Sequence, residues 1–292
     1  MPELPEVEST VRGLREKIVG KTLSSLWTDT PKLIKGGSVA KMKKFIESRK
    51  IISVDRRAKN ILIRLDKGGL ILIHLKMTGH LMISKWDIIK EKGKEKAVTT
   101  SVGKMTDRVN GYIRVIFYFK DGTEMALSDL RKFAKVSFGA EEEVLKKEGV
   151  LSLGEEATEI SFPDFKKAVS GSNRPIKLVI MDQDRVAGIG NIYSDDILWK
   201  AKVHPLRPAS SLSDEELKEI YKAMREILKL AISLGGTSIS DYRDIKGNPG
   251  GYGDRRLVYR RDNEPCPRCG TKIQRLKSGG RSGRFCPHCQ KI

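Results

Sequence analysis

The chain has 292 residues and a formal charge of +19, from 56 Lys and Arg against 37 Asp and Glu. Hydrophobic residues make up 39% of the chain and recur with clear periods, which excludes a disordered polycation and places the excess charge on a folded surface. The sequence has neither a run of 18 apolar residues nor a hydrophobic signal core. We therefore expect a cytoplasmic, monomeric protein without membrane segments, whose partner is a polyanion.

The first residues, MPELPEVE, place a proline directly after the initiator methionine. Removal of Met1, which is usual before a small residue, would expose the secondary amine of Pro2 beside the carboxylic acid of Glu3. A terminal amine has a pKa far below that of a lysine, so part of it is unprotonated at neutral pH. Its attack on an aldehyde carbon would give a permanently charged iminium ion. The pattern indicates a nucleophile, although two prolines also simply extend a flexible terminus.

The first half of the chain alternates two helical segments with short strands. Apolar spacing predicts helices over residues 5–19 and 38–48. Strand-like runs, several of them separated by glycine turns, cover residues 51–54, 60–65, 70–75, 113–119 and 124–127. This pattern predicts an antiparallel β-sandwich over residues 1–139. Residues 85–110 contain seven Lys or Arg residues and little periodicity, which predicts a long mobile loop.

After Gly139 the pattern becomes helical, which predicts a second domain over residues 155–255. Its clearest helix is Ser213 to Leu234, which begins with the capping box Ser213 and Glu216. A glycine turn, residues 186–190, separates two further helices, and the second of them begins near Asn191. The N–H groups at the start of a helix that follows a glycine turn favour the binding of a phosphate, although ordinary helix capping explains the same residues. In a chain of this charge, we interpret the turn as a helix-two-turn-helix DNA clamp. The glycine-rich residues 237–254 predict a loop that closes on a ligand.

All four cysteines lie in the last 27 residues, as the pairs Cys266-Pro-Arg-Cys269 and Cys286-Pro-His-Cys289. This spacing is typical of a zinc ribbon that holds one structural Zn²⁺, with redox chemistry as the weaker alternative. We therefore predict a zinc finger over residues 256–292, in which the metal replaces a hydrophobic core. The basic, glycine-rich stretch between the pairs predicts a phosphate contact.

The opening PELPEVE, the GIGNIY turn and the terminal CPRCG and CPHCQ motifs together resemble the bacterial formamidopyrimidine-DNA glycosylase family, which removes oxidised purines from DNA. The resemblance covers nearly the whole chain. It implies an α+β multidomain fold: an amino-terminal two-layer antiparallel β-sandwich with flanking helices, a helix-two-turn-helix domain and a zinc finger. The implied partner is double-stranded DNA that contains oxidised bases or abasic sites, so the protein would associate with the nucleoid.

The resemblance also assigns roles to individual residues. Pro2 becomes the Schiff-base nucleophile, Glu3 its acid-base partner, Lys59 a phosphate contact that assists β-elimination, and Arg281 a phosphate contact linked to the second elimination. The motif around Met77 matches a loop that fills the gap left by an extruded nucleotide, and Arg131 and Phe133 match the residues that face the orphaned base and wedge the stack. The DNA-binding candidates are His74, Met77, Arg131, Phe133, Lys177, Asn191 and Tyr259.

Four positions depart from the family pattern: Lys76 for glycine, Leu130 for proline, Lys132 for arginine and Ala134 for glycine. Residues 85–110 also exceed the usual loop. Two alternatives remain open. One is the endonuclease VIII type, which prefers oxidised pyrimidines and usually has glycine where this chain has Leu4. The other is a non-catalytic zinc-ribbon protein that binds DNA or RNA. Without the resemblance, Met77 and Phe133 would be core residues, Arg131 a surface charge and Lys59 a strand-edge lysine.

Overall fold

The chain, a computed structural model described over residues 2–238 and 241–292, is made of two units. Each unit combines two segments of the sequence: Met1–Leu151 with Leu234–Gly251, and Ser152–Ser233 with Tyr252–Ile292. The removal of Met1 that the sequence predicts concerns a residue outside the described ranges. Within those ranges, every helix is too short or too polar to cross a bilayer.

The first unit contains two sheets with helices beside them. Its helices are α1 (Leu4–Ile18), α2 (Val39–Ile46) and α3 (Glu141–Lys147). Its strands are β1 (Leu23–Thr28), β2 (Ile34–Lys35), β3 (Ile51–Arg57), β4 (Asn60–Leu65), β5 (Gly69–His74), β6 (His80–Ser84), β7 (Trp86–Glu91), β8 (Lys94–Thr99), β9 (Ile113–Phe119), β10 (Glu124–Ser128) and β11 (Lys135–Ala140). The strand order is β1-β9-β10-β6 in one sheet and β2-β11-β5-β4-β3 in the other.

The core of the first unit lies between these two sheets and α1. Val115 and Phe117 of β9 and Ile61 and Ile63 of β4 belong to one buried cluster, so alternate residues of both sheets face inward. The inner face of α1 has the predicted apolar spacing, and its members are fully buried: Val7, Val11, Leu14 and Ile18. The predicted fold class, an antiparallel sandwich followed by a helical domain and a zinc finger, is confirmed.

The prediction of a long loop over residues 85–110 is wrong, because β7 and β8 pair there as a hairpin. Lys92 and Gly93 both have positive φ, 50° and 75°, as the two-residue turn of a hairpin requires. Trp86 and Ala97 point from this hairpin into a second buried cluster, which includes Met82 and Ile116. The hairpin thus covers the outer face of the four-stranded sheet. The apolar residues of the hairpin are too few, and too often interrupted by lysines, to show the alternation that predicts a strand.

Residues 234–251 belong to the first unit by their contacts, whereas the sequence places them in the helical domain. Tyr242 is buried, and its hydroxyl donates to the backbone oxygen of Glu6 at 2.9 Å. Ile245 joins the core of the sandwich, and Arg243 binds Asp107 at 2.7 Å. The domain limits 1–139, 155–255 and 256–292 otherwise stay predictions.

The second unit is mainly helical and ends in a hairpin. Its elements are β12 (Glu155–Glu156), α4 (Phe162–Val169), α5 (Ile176–Ile180), β13 (Val186–Ala187), α6 (Asn191–Lys200), α7 (Asp214–Ser233), β14 (Gln274–Ser278) and β15 (Arg281–Phe285). The capping box of α7 is confirmed, because Glu216 N–H donates to Ser213 Oγ at 3.3 Å and Ser213 N–H donates to Glu216 Oε2 at 2.9 Å. Helix α6 is buried on all sides from Ile192 to Trp199, including its acidic residues.

Candidate functional site

The amino-terminal end of α1 holds the predicted nucleophile segment. Pro2 is buried, and Glu3, which is 1% exposed, is the N-cap of the helix. Pro5 lies in the first turn, where its missing N–H costs no helical hydrogen bond. Glu6 completes a capping box, since its Oε2 accepts the N–H of Glu3 at 2.7 Å. Glu3, which follows Pro2, is therefore held in place by the helix. The alternative that the two prolines only extend a flexible terminus is not supported.

Glu6 also binds the segment that follows α7, a role that the sequence does not predict. Its Oε1 accepts the N–H of Thr237 at 2.6 Å. Gly236 has φ +80°, and a Cβ at that position would lie 2.7 Å from the same oxygen. Glu6 thus fastens the described start of the 237–254 loop to the helix that carries Pro2. The only signal in the sequence is a second acidic residue three positions after Glu3, the spacing of a capping box.

Lys59 lies in the turn between β3 and β4 and is 8% exposed. Arg56, at the end of β3, donates to Glu8 of α1 at 2.8 Å and to the backbone oxygen of Ala58 at 3.1 Å. Burial raises the pKa of Glu8, but its hydrogen bonds to Arg56 and Arg12 outweigh this effect and lower the pKa. The ion pair between Glu8 and Arg56 therefore ties α1 to the strand that leads into Lys59.

His74 ends β5 opposite Asn60, the residue that follows Lys59. Burial lowers the pKa of His74 to about 3, assisted by the charges of Lys76, Lys59 and Lys135. The backbone N–H of Lys76 donates to its Nδ1 at 3.0 Å, so the neutral ring carries its proton on Nε2. His74 can thus donate one hydrogen bond without adding charge, and the fold brings it close to Lys59.

The wedge residues Met77 and Phe133 are 40% and 48% exposed, so the alternative that they belong to the core is wrong. The guanidinium of Arg131 lies 4.6 Å from the centre of the Phe133 ring. Met77 and Phe133 line one cavity, which shows that the two predicted loops meet. An exposed methionine and an exposed aromatic ring, with a stacked arginine, form a surface that can insert between bases.

Asp129 connects these two loops, although nothing in the local sequence marks it. It is fully buried, and its Oδ2 accepts the N–H groups of Phe133 at 2.7 Å and Ala134 at 2.8 Å. Its Oδ1 accepts hydrogen bonds from the Thr78 hydroxyl and, at 3.2 Å, from the Arg131 N–H. The Thr78 oxygen in turn accepts the Arg131 N–H at 3.0 Å. One carboxylate therefore sets the conformation of both loops.

We expect Asp129→Asn to destabilise the first unit by about 2–4 kcal/mol, because an amide cannot accept all of these hydrogen bonds and its own N–H groups would face other donors. Denaturant unfolding measures this change. Asp87→Asn, at an exposed carboxylate of β7, is the control, with an expected effect within about 0.5 kcal/mol. Equal stabilities of the two variants would contradict the role of Asp129.

In the second unit, α6 begins at Asn191 after the N-cap Gly190. The turn before it is held by Gln183, whose Nε2 donates to the backbone oxygens of Met181 at 2.7 Å and Ile189 at 2.9 Å and whose Oε1 accepts Gly188 N–H at 3.0 Å. Within the described residues, Asn191 Oδ1 is buried without a hydrogen-bond partner. The structure thus fixes the turn before α6, and a phosphate contact at Asn191 stays a prediction.

Lys177, one of the predicted DNA-binding residues, is fully buried. Its Nζ lies 2.5 Å from Asp195 Oδ1 and 2.8 Å from Ser194 Oγ. Burial raises the pKa of Asp195 to about 7 despite the Lys177 charge. The other Asp195 oxygen accepts Arg284 N–H of β15 at 3.0 Å, so this pair links α5, α6 and the finger hairpin. A phosphate contact through Lys177 would require the pair to open.

Asp196, the next residue of α6, organises the segment that carries Tyr259. Its carboxylate accepts the Tyr252 hydroxyl at 2.8 Å and the N–H groups of Leu257, Val258 and Tyr259 at 3.1, 2.9 and 3.2 Å. The available sequence signal for these roles is the pair of adjacent acidic residues directly before the apolar run Ile197-Leu198-Trp199.

Arg281 is exposed at the start of β15, directly after the turn Gly279-Gly280. It lines a cavity of about 520 Å³ together with Arg174 and the turn that follows α5. Arg174 is paired with Asp182 at 2.7 Å, which leaves the Arg281 guanidinium as the group best able to bind a phosphate there.

The four cysteine sulfur atoms form one cluster, in which all Sγ atoms lie within 4.8 Å of one another. Cys269 and Cys286 are 3.4 Å apart, and Cys266 and Cys289 are 4.0 Å apart. A tetrahedral zinc site with bonds of about 2.3 Å places its sulfur atoms roughly 3.8 Å apart, so the cluster fits one structural Zn²⁺. Trp199 Nε1–H donates to Cys266 Sγ at 3.3 Å, as suits a thiolate ligand.

Three family models match the chain in order. They describe the N-terminal domain of formamidopyrimidine-DNA glycosylase over residues 1–136, the H2TH domain of the same protein over residues 153–243, and the zinc finger found in FPG and IleRS over residues 263–292. The last match covers all four cysteines and agrees with the zinc site that their geometry supports.

Individual relatives match over the full length. The chain is 34% identical over 294 residues to the formamidopyrimidine-DNA glycosylase of Pelotomaculum thermopropionicum and 37% identical over 293 residues to that of Carboxydothermus hydrogenoformans, with 100% of each chain covered. Among solved structures, the MutM (FPG) protein of Thermus thermophilus matches with a TM-score of 0.82 and 34% identity, covering 99% of this chain and 98% of that one. Lactococcus lactis Fpg, in complex with DNA containing an abasic site, matches with a TM-score of 0.86 and 29% identity over 100% of both chains. The chain belongs to the formamidopyrimidine-DNA glycosylase family.

Proposed function

We propose that this chain is a bifunctional DNA glycosylase and abasic-site lyase that excises oxidised purines, namely 8-oxoguanine and formamidopyrimidines, from duplex DNA. The observation that carries this proposal is the Pro2-Glu3 segment, held at the start of α1 by the hydrogen bond from Glu3 N–H to Glu6. A buried proline directly before a buried carboxylic acid is the arrangement that an amino-terminal Schiff-base nucleophile requires. The solved complexes of Lactococcus lactis Fpg with abasic-site and Fapy-dG DNA support the same substrate class.

The reaction would proceed through a Schiff base. After removal of Met1, the Pro2 nitrogen attacks the sugar C1′, and the bond from C1′ to the damaged base breaks, so the base leaves with the bonding electrons and takes up a proton. The Pro2 nitrogen then gives up its proton, and the bond from C1′ to the ring oxygen breaks as Glu3 protonates that oxygen, which leaves an iminium ion between Pro2 and C1′. The iminium draws electrons from C2′ and acidifies its proton.

Two eliminations would follow from this intermediate. Loss of the C2′ proton expels the 3′ phosphate, and a second elimination expels the 5′ phosphate, which leaves a one-nucleotide gap. Lys59 assists the first elimination and binds phosphate, and Arg281 binds phosphate and assists the second. Both residues are cations, which stabilise the charge that develops on a departing phosphate.

The remaining DNA-binding candidates would hold the duplex with one nucleotide extruded. Met77 and Phe133 fill the vacated stack, and Arg131 faces the orphaned base. His74, Asn191 and Tyr259 bind the phosphates of the lesion strand. The exposure of Met77 and Phe133 and the short distance between Arg131 and the Phe133 ring support these roles.

Strand cleavage of duplexes that each carry one defined lesion tests the substrate class. We expect cleavage opposite cytosine at 8-oxoguanine and formamidopyrimidine, with slower cleavage at oxidised pyrimidines such as thymine glycol. A duplex with undamaged guanine in the same sequence is the control. Preference for the oxidised pyrimidines would favour the endonuclease VIII type instead.

Phe133→Ala should reduce base excision from a paired lesion far more than strand cleavage at an abasic site. Extrusion of a stacked base costs a few kcal/mol, whereas an abasic site has no base to unstack. Single-turnover rates on the two duplexes give the comparison within one variant, so a general loss of folded protein affects both equally. Leu151→Ala, at another exposed apolar residue of the same unit, is the control. Equal losses of rate on both duplexes would show that Phe133 does not act as the wedge.

A further inference from the structure

Two segments of the first unit that are distant in sequence lie against each other: residues 103–111, after the β7–β8 hairpin, and residues 241–251. The first segment forms two short 3-10 turns, Gly103–Thr106 and Arg108–Gly111. We call residues 103–111 the strap. The second segment belongs to the glycine-rich loop that the sequence predicts to close on a ligand. An ion pair and a closely packed glycine hold the two segments together.

The ion pair joins Asp107 of the strap to Arg243. Nη2 and Nε of Arg243 lie 2.7 and 3.1 Å from the same oxygen, Asp107 Oδ2. These hydrogen bonds are the main cause that lowers the pKa of Asp107, so its carboxylate is ionised at neutral pH. The Arg243 side chain is 13% exposed, and its Nη1 donates to the backbone oxygen of Tyr242 at 2.8 Å. One guanidinium therefore connects the strap to the backbone of the loop.

The second contact lies at Gly247, which has φ +79°. A Cβ at this position would lie 2.9 Å from Asn110 Nδ2 and 3.4 Å from the backbone oxygen of Lys104. Asn110 is buried; its Nδ2 donates to that Lys104 oxygen at 2.8 Å, and its Oδ1 lies 2.9 Å from His80 Nε2. Because an amide oxygen only accepts, the His80 ring donates this hydrogen bond. Asn110 is thus fixed on both sides, and the loop approaches it closely through a glycine.

Tyr242, the neighbour of Arg243, connects the strap contact to the start of α1. Its hydroxyl donates to the backbone oxygen of Glu6 at 2.9 Å. Glu6 Oε2 in turn accepts the N–H of Glu3 at 2.7 Å. A continuous series of contacts therefore leads from the strap to the residue that follows Pro2. Its members are Asp107, Arg243, Tyr242, Glu6 and Glu3.

We propose that Asp107 and Arg243 are positioning residues of the proposed reaction, because their ion pair holds Tyr242 against Glu6 and thereby orients the Pro2-Glu3 segment for attack on C1′. This inference rests on the proposed function. Attack requires the nitrogen and the carbon in one orientation, and a small displacement of the nucleophile lowers the rate. Asp107 and Arg243 act here through protein contacts, so their loss should slow the chemical step and leave DNA affinity nearly unchanged.

Single-turnover borohydride trapping on an abasic-site duplex, with the full zinc-loaded chain at saturating concentration, measures the chemical step. Arg243→Gln and Asp107→Asn each remove one charge of the pair. Asparagine can still accept the Val109 N–H that Asp107 Oδ1 accepts at 3.3 Å. Arg243→Lys keeps a cation opposite Asp107. The matched control is Arg64→Gln, which breaks another partly exposed ion pair of the same unit, between Arg64 and Glu141 at 2.7 Å.

Arg243→Gln and Asp107→Asn should each slow trapping by about 5- to 20-fold, as expected for substitutions within a coupled network. The double variant should be no slower than the slower single variant, because both changes break the same pair. Arg243→Lys and Arg64→Gln should stay within about 3-fold of the unsubstituted protein. Affinity for a duplex with a tetrahydrofuran abasic analogue should change by less than about 3-fold in every variant, since no phosphate contact is lost.

The two single variants change the net charge in opposite directions, which separates positioning from a direct contact with DNA. Arg243→Gln removes a positive charge, whereas Asp107→Asn removes a negative charge. If Arg243 bound a phosphate, Asp107→Asn would release it for that contact and raise the affinity. Opposite changes of the two trapping rates, additive losses in the double variant, or an equal loss in Arg64→Gln would overturn the proposal.

Hydrogen exchange of the DNA-free protein tests the same coupling without using the activity. Peptides that cover residues 2–10 and 241–251 should exchange faster in Arg243→Gln and Asp107→Asn than in the unsubstituted protein, whereas a peptide that covers residues 60–65 should not change. Unchanged exchange over residues 2–10 would overturn the positioning role. If the unsubstituted protein gave no trapped complex, the lyase chemistry would be refuted, and the exchange rates would still decide whether the strap orders the start of α1.

Discussion

Sodium borohydride is expected to trap a covalent complex between this protein and DNA that carries an abasic site or 8-oxoguanine, through the nitrogen of Pro2. Borohydride reduces the iminium ion to a stable amine, so the adduct reports the proposed intermediate directly. Denaturing electrophoresis measures its yield, and mass spectrometry of the digested complex locates the attachment. We expect adduct on the amino-terminal peptide.

Pro2→Gly should lower the trapping rate by roughly 10³-fold or more, since a glycine amine is primary and its Schiff base must be protonated to withdraw electrons. Glycine still permits removal of Met1, so the variant changes the type of amine and not its exposure. Protein that retains Met1 or carries an added amino-terminal segment should also give no adduct, because its Pro2 nitrogen is then part of an amide bond. Full activity of such a blocked protein would refute the mechanism.

The second large effect concerns the zinc site. Cys286→Ala should abolish zinc binding and reduce affinity for abasic-analogue DNA by on the order of 10²-fold or more, while the sandwich stays folded. Cys286 is fully buried in a small cluster with Trp199, Val258 and Ile273, which provides too little apolar surface to order the finger without metal. Loss of that order would release Arg281 and the β15 contact to Asp195.

Metal analysis should give one zinc per chain for the unsubstituted protein and close to none for Cys286→Ala. His288→Ala is the matched control, because His288 is exposed within the same knuckle and lies outside the sulfur cluster. It should keep its zinc and its DNA affinity. Active, DNA-binding protein that contains no zinc would contradict the structural role of the metal. Thermal unfolding of Cys286→Ala should retain the transition of the sandwich.

The sequence predicts well those features whose signals are local. Helix α1 follows from the spacing of Val7, Val11, Leu14 and Ile18, and α7 follows from its capping box, because both depend on residues three or four positions apart. The zinc site is equally local, since each pair of ligands lies within one knuckle. The family motifs add the nucleophile segment and the glycine turn before α6.

Other features depend on residues distant in sequence. Strands β1, β6 and β11 are as long as the predicted strands β4, β5 and β10, but they are not predicted, because they become strands by pairing with partners elsewhere in the chain. The hairpin of β7 and β8 is stabilised by the outer face of a sheet that its own sequence does not contain. Residues 234–251 join the first unit because Tyr242 and Ile245 find their contacts there.

Within the site, the sequence by itself determined which chemical groups are present, and the tertiary structure decided how they are held. The carboxylates of Glu6 and Asp196 look like ordinary acidic residues in the sequence, but the fold supplies each of them with backbone N–H groups from a distant segment. Asp129 binds N–H groups of its own turn and, from a distant segment, the Thr78 hydroxyl. Lys177 reads as a surface cation until burial pairs it with Asp195. The physical reason is common to all four: a buried charge must be compensated by a partner, and only the three-dimensional arrangement supplies that partner.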